Sequence, residues 1–530
     1  MNKLNILFIC LLSSILSGCT GNFEDMNKNP LTPTEVNPEL VFPFICREAP
    51  NLRWDAYQCG DNLGANLFAQ YIANTSPNFF NDRYMYDSYN VGFGYWTPHF
   101  VYIAKNVKLV GKNLDKYPNS VYTYQLMRIL HALSAAKVTD LFGDIPYSEA
   151  GTGIEKPKYD AQKDIYYDIF KELREAVEVL QSNLPGQATL GSSDFIYGGN
   201  IENWIKFANS LRLRYAIRIS FVDPEKAKQE GEAALTAGIM SSIEDAALSI
   251  TNNKDWDNLG YPLITISHWN EFRASKTMID ILTQSSSVDD PRLPLWFGET
   301  KVYAKEKKGP RFKGVENGLP ADQLSMPGNT PEENSNVYGL AFFPKWNSKQ
   351  VEPQGGEWIS KPFPVMNYSE VCFLKAEAAL RGWSLAGNAS ENYEQGIRSS
   401  FAEARSDIET SLFNTDKDDT YISTGTVKWD DGATFETKLE KIITQKWIAL
   451  FPNGNEAWAE CRRTGYPKLN AIVRCDNPLI KPENGEFLKK LQYTDLEKRV
   501  NPDNATSAQL NGGQGDGPQV RVWWDTKRYK

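Results

Sequence analysis

The chain has 530 residues, 41% of them hydrophobic, and a formal net charge of −9. That length accommodates one large domain or several ordinary ones, with apolar residues enough for a substantial core. Acidic residues outnumber basic ones and no basic run occurs, which argues against a nucleic-acid partner and against a basic membrane-docking patch.

The first element in the chain is an export signal. Lys3 supplies a positive start, and Ile6 to Leu16 is apolar but short of the ~20 residues a spanning helix needs. Ser17 and Gly18 stand directly before Cys19. This Leu-Ser-Gly-Cys ending resembles a bacterial lipobox, which implies that Cys19 takes a lipid on its sulfur and becomes the first mature residue. An ordinary secretory peptide with a chance cysteine is the alternative. The expected organisation is a signal peptide over 1–18, a lipidated tether over 19–36 and a single domain over 37–530.

Helical periodicity dominates the chain beyond the tether. Trp204, Phe207, Ala208, Leu211, Tyr215 and Ile219 form an apolar stripe on one face, and Ile443, Trp447, Leu450 and Phe451 repeat it. Val371, Leu374 and Ala378 mark a helix ending near Gly382, and Asp223-Pro224-Glu225 reads as a helix start. The spacing predicts neighbouring pairs: 95–117 with 121–141, 160–183 with 201–221, 368–386 with 389–405, and 435–451 with 454–463. Serial pairs point to a tetratricopeptide-like, all-α scaffold over about 37–237 and 366–500, with minor β structure; a plain helical bundle is the alternative.

Between about 238 and 365 glycine and proline interrupt the pattern, and Lys276–Thr283 is the main helix signal. A loop-rich stretch of that length points to function. The Gly-rich tail over 501–519 reads as a surface loop, with Val520, Val522 and Trp523 as a short closing strand.

Chemistry-bearing motifs are mostly missing. There is no phosphate-binding Gly-rich loop with Lys-Ser/Thr, no His-Glu-x-x-His and no Gly-x-Ser-x-Gly. Asp416, Asp418 and Thr420 start like a calcium loop, but Val427 stands where the twelfth-position Glu belongs. The three histidines, His99, His131 and His268, are scattered and read as structural hydrogen-bonders. No metal or cofactor is expected. Beyond Cys10 and Cys19, the five remaining cysteines read mostly as buried thiols, with Cys46–Cys59 and Cys461–Cys475 bridges left open. Asp289-Asp290 before Pro291-Arg292 reads as a turn with an acid–Arg contact rather than as a hydrolase acid pair.

The positive signal is aromatic. Residues 76–102 hold Phe79, Phe80, Tyr84, Tyr86, Tyr89, Phe93, Tyr95, Trp96, Phe100 and Tyr102, interleaved with Asn, Asp and Arg. Trp256, Tyr261, Trp269, Asn270 and Trp296 fall in the loop-rich stretch. Flat rings beside amides and carboxylates suit a sugar, covering its C–H faces while polar groups hold its hydroxyls.

Five stretches share an order and spacing: Asn22 to Asn27 leading into Asn29-Pro30; Thr139 to Ala150; Asp290 to Leu293; Tyr368 to Ala378; and Glu456 to Glu460 running into Arg462 to Pro467. Together they resemble the SusD/RagB family of Bacteroidetes outer-membrane lipoproteins. The resemblance implies an α-helical superhelix of four tetratricopeptide-like pairs with a loop-rich excursion. It implies a non-enzymatic protein on the outer face of the outer membrane, acting as a hinged lid that delivers an oligosaccharide, or in some relatives a peptide, to a SusC-like TonB-dependent transporter. The shared motifs read as mostly scaffold, with Asp144 capping or bracing a turn and Glu456, Arg462 and Arg463 in a buried or half-buried ion-pair cluster behind it. The ligand region would be a loop at about 76–100 together with the loop-rich stretch, and Arg83, Tyr84, Trp96, Trp269, Asn270 and Trp296 are the expected ligand-binding residues. A glycoside hydrolase and a purely structural adaptor are the competing classes.

Overall fold

The computed structural model describes residues 34–249, 259–265, 269–337, 339, 362–406, 408–484 and 486–528. The signal, Cys19, the motif at 22–30, Trp256 and His268 lie outside them. Helix accounts for 55% and strand for 4%, so the expected all-α class holds.

Ten helices carry the architecture: α1 (Pro38–Glu48), α2 (Val121–Phe142), α3 (Gln162–Leu180), α4 (Ile201–Arg218), α5 (Pro224–Ala237), α6 (Lys276–Gln284), α7 (Tyr368–Leu380), α8 (Ala389–Arg405), α9 (Phe435–Ala449) and α10 (Gly454–Thr464). Their starts are chemically marked. Asn37, Asn200, Asp223, Ser275, Asn388, Thr434 and Asn453 each accept a hydrogen bond from a first-turn backbone N–H, satisfying donors a helix leaves orphaned. In sequence, α2 packs on α3, α3 on α4, α4 on α5, α7 on α8 and α9 on α10, with α4 and α9 both against α7. This is the serial pairing the spacing predicts. Trp204, Phe207, Ala208, Leu211, Tyr215 and Ile219 are all buried, and a second core of Phe373, Tyr393, Ile397, Phe401 and Ile443 sits among α7, α8 and α9.

Among the described residues, four short strands make two antiparallel pairs. β1 (Ile72–Asn74) pairs with β3 (Phe272–Ala274), and β2 (Ala247–Ser249) with β4 (Phe363–Met366). The β1–β3 pair ties the loop-rich stretch to the helical scaffold, and the β2–β4 pair joins the two ends of that stretch.

A fully buried charge network clamps the helices. Arg218 reaches Glu456 at 2.6 Å, Asp140 at 3.4 Å and Glu460. Arg463 takes Glu377 at 2.7 Å and Glu460 at 2.6 Å, and Lys446 lies 3.4 Å from Glu460. Arg462 differs from expectation. It donates to the carbonyls of Asp140 (2.7 Å) and Lys489 (2.8 Å) and lies 3.8 Å over the Trp458 ring, so it secures backbone rather than a carboxylate. Asp144 does brace its turn: its carboxylate accepts from Gln162 N, the first residue of α3, and from Asn511 N. The Asp290–Arg292 pair also forms, at 2.6 Å.

Three local expectations need correction. Val520 to Trp523 form no strand; the segment lies against the helices, and Trp524 plugs in with its indole N–H on Asp140 at 2.6 Å. The tail is not merely a surface loop, because Leu510 and Asn511 are buried and Asn511 Oδ1 accepts from Asp144 N at 3.0 Å. The aromatic stretch is not a loop throughout: Ser88 to Lys112 is helical. Gly92, Gly94 and Pro98 hide its periodicity, and wide π-type turns absorb them.

Cys46, Cys59, Cys372, Cys461 and Cys475 are all free thiols, the first, third and fourth buried. His99 meets Ser134 and His131 meets Glu172, each at 3.0 Å.

Candidate ligand-binding site

Wide helical turns are rare and concentrate at functional sites. Here four of them come together: Gln58–Ala65, Gly92–Trp96, Pro98–Ala104 and Tyr261–Thr265. The first packs on the second and the fourth, and the second on the third. Their outer surface, with the turn that feeds β3, presents rings to solvent.

Tyr89 is 72% exposed and Trp269 56% exposed, the values expected of platforms rather than core rings. Tyr89 stacks on Phe93 with centroids 5.9 Å apart and an interplanar angle of 14°. Trp54 meets Tyr261 edge to face at 5.3 Å. The Arg53 guanidinium lies 4.7 Å over the Phe93 ring while pairing with Asp55 at 2.6 Å, a cation–π contact that fixes the ring's inner face.

A polar floor runs between the rings. Gln58 Nε2 donates to Glu271 Oε2 at 2.8 Å. The Thr75 hydroxyl donates to the Asn270 carbonyl at 2.7 Å, and Thr75 N to the Glu271 carbonyl at 3.0 Å. Asn270 holds the left-handed φ of 62° that turns the chain outward. Cys59 sits at the centre: burial, with Asp55, Asp87 and Glu271 around it, pushes its thiol up to about 11, so it stays protonated. Asp87 is committed locally, accepting from Tyr89 N and Asn90 N as the cap that starts the ring-bearing helix. Burial also raises the Glu271 carboxyl.

The six expected site residues part company. Trp269 and Asn270 stand on this face. Trp96 is only 8% exposed and packs edge-on against Phe142 at 5.1 Å and on Phe100 at 4.4 Å. Arg83 is buried, its Nε on Asp476 at 2.6 Å and its Nη1 on the Leu319 carbonyl at 3.1 Å. Tyr84 is buried beside it, its carbonyl accepting from Asn477 Nδ2. Trp296 is buried against Phe451 at 5.1 Å and borders a separate cavity. Trp54, Gln58 and Glu271 were not singled out by sequence; the signal for Trp54 and Gln58 was their place six residues before the Gly60 and Gly64 breaks.

The fold and this face define an all-α scaffold protein with a ring-bearing outer surface. Residues 38–525 match the family model described as SusD-like, Susd and RagB outer membrane lipoprotein. A chitin-binding SusD homologue from Flavobacterium johnsoniae is 30% identical, superposes with a TM-score of 0.75, and is matched over 92% of this chain and 99% of its own. A SusD homologue from Bacteroides uniformis is 28% identical with a TM-score of 0.75 and the same coverage. A further chitin-binding protein is 28% identical, with a TM-score of 0.74 over 93% of this chain and 100% of its own. A comparison with curated proteins gave no match. The chain belongs to the SusD/RagB family. Among the described residues no helix is long and apolar enough to cross a membrane.

Proposed function

We propose that this protein is a cell-surface lipoprotein that captures a glycan on the Tyr89–Trp54–Trp269 face and passes it to a SusC-like TonB-dependent transporter. One observation carries the reading: two exposed platform rings flank a floor of amide and carboxylate groups. A sugar presents C–H faces to the first and hydroxyls to the second. The face spans several rings, so an oligosaccharide suits it better than a monosaccharide. The similarity to chitin-binding relatives makes N-acetylated glucose polymers the first candidates. On this reading residues 1–18 are removed, Cys19 carries the lipid and 37–530 form the binding body. The protein acts by binding alone, without turnover.

Calorimetry of the purified full chain against chito-oligosaccharides, other glycans and oligopeptides tests the ligand class. Heat from glycans is the expected result; heat from oligopeptides alone overturns it, and so does release of reducing ends by the pure protein. Cross-linking in intact membranes should trap a large β-barrel partner, and its absence would remove the delivery step.

A further inference from the structure

A cavity of about 140 Å³ opens between the β2–β4 pair, the last turn of α8 and the segment after α9. Leu248, Pro364, Trp296 and Phe451 supply apolar walls, and Glu403 supplies a carboxylate. None of its lining residues belongs to the ring-bearing face described above.

Glu403 is held in place by neutral donors. Its Oε1 accepts from Ser369 N at 2.9 Å and its Oε2 from the Ser369 hydroxyl at 2.5 Å, so the acid of α8 caps the start of α7. Among the described residues no cation pairs with it. The Arg292 field reaches it, but that guanidinium is bidentate on Asp290, Nε to Oδ1 at 2.9 Å and Nη2 to Oδ2 at 2.6 Å. A half-buried carboxylate beside apolar walls is costly unless it is neutralised or finds a counter-charge. Burial pushes this carboxyl up to about 7; Tyr368, Cys372 and Arg292 are the titratable groups facing it.

We infer that this cavity is a second binding site, for a small organic cation with a ring-sized apolar body. The ammonium would pair with Glu403 and the ring would lie against Trp296 and Phe451. Size supports the match, since a dry cavity of ~150 Å³ accepts benzene. Charge supports it too, since the Glu403 carboxylate offers a cation a charge-assisted partner; Trp296, whose ring already has the Arg292 guanidinium over it at 5.7 Å, serves as an apolar wall.

Benzylamine and its neutral isostere benzyl alcohol are the probes, added to the full chain at pH 8, with binding read by calorimetry and by the melting temperature. Benzylamine should bind at least about tenfold more tightly than benzyl alcohol, the scale of a charge-assisted hydrogen bond. Glu403→Gln should erase that preference while leaving glycan affinity unchanged. Ala404→Phe fills the cavity without touching the carboxylate and should abolish binding of both probes. Equal binding of the two probes to the unaltered protein, or no benzylamine binding, overturns the site, and neither result bears on the glycan face.

Discussion

Arg214 of α4 and Glu370 of α7 lie 156 residues apart and meet in a two-pronged pair, Nε to Oε1 at 2.7 Å and Nη2 to Oε2 at 2.6 Å. Both are buried, and Arg214 also donates to the Val365 carbonyl of β4 at 3.3 Å. The contact joins the two halves of the helical scaffold across the loop-rich stretch. Removing one partner strands the other's charge in the interior with only a distant counter-charge, Glu456 at 4.0 Å from Arg214 or Lys446 at 3.9 Å from Glu370. Glu370→Ala should therefore cost about 3–5 kcal/mol in urea unfolding. Arg214→Met with Glu370→Leu should recover much of that loss, because two apolar side chains leave no orphaned charge.

The pH dependence of stability should have two limbs. Burial works to raise Glu460, but Arg463, Lys446 and Arg218 together hold it well below the usual carboxylate range. A depressed carboxyl contributes stability that is present above its unfolded value near 4.5 and lost as pH falls through the folded value. Glu403 runs the other way. Its carboxyl is raised to about 7, so its contribution is full below about 4.5 and is lost as pH climbs through 7. Glu403→Gln should lessen the fall of unfolding free energy between pH 5 and 7, without abolishing it because burial also raises Asp61 and Asp82 to about 6, and should leave the acid limb intact. An unchanged slope in that window would remove Glu403 as one of its sources.

Ring substitutions should separate binding from folding. Tyr89→Ala and Trp269→Ala remove exposed surface, so melting should hardly move, while glycan affinity should fall about threefold to tenfold per ring. Trp96→Ala should do the reverse. Its ring is enclosed by Phe100, Phe142 and Tyr493, and its removal should cost about 3–5 kcal/mol of stability. Glycan affinity falling with Trp96→Ala at unchanged stability would move the site inward.

These contrasts show where the sequence was readable. The stripe from Trp204 to Ile219 follows the 3.6 period, so the core face of α4 was legible at once, as was the Asp223-Pro224 start of α5. Exposure was not legible. Tyr89 and Trp96 sit seven residues apart in one aromatic run, and only the π-type turns between them decide which ring faces solvent. Glu271 is equally silent in sequence, since β1 must pair with β3 before Gln58 and Thr75 can reach it. The tail misled because a Gly-rich composition carries no sign of Asn511 docking on Asp144.

Two glycines decide whether those wide turns build the face. Gly94 and Gly60 stand where the two ring-bearing segments cross. A methyl group at Gly94 would sit 2.5 Å from both Cα and N of Gly60 and 3.1 Å from the Ala56 carbonyl. All three are backbone atoms, so no side chain can rotate aside and the segments must separate. At Gly60 the same methyl meets the Tyr95 ring at 3.0 Å, a neighbour whose hydroxyl is hydrogen-bonded to the Gly60 carbonyl. Gly94→Ala should lower stability by about 1–3 kcal/mol through overpacking. It should also weaken glycan binding, although it touches no ring on the surface, because Trp54 and Phe93 ride on the two segments it forces apart. Gly94→Ala protein that keeps full glycan affinity would show that the face does not depend on this crossing.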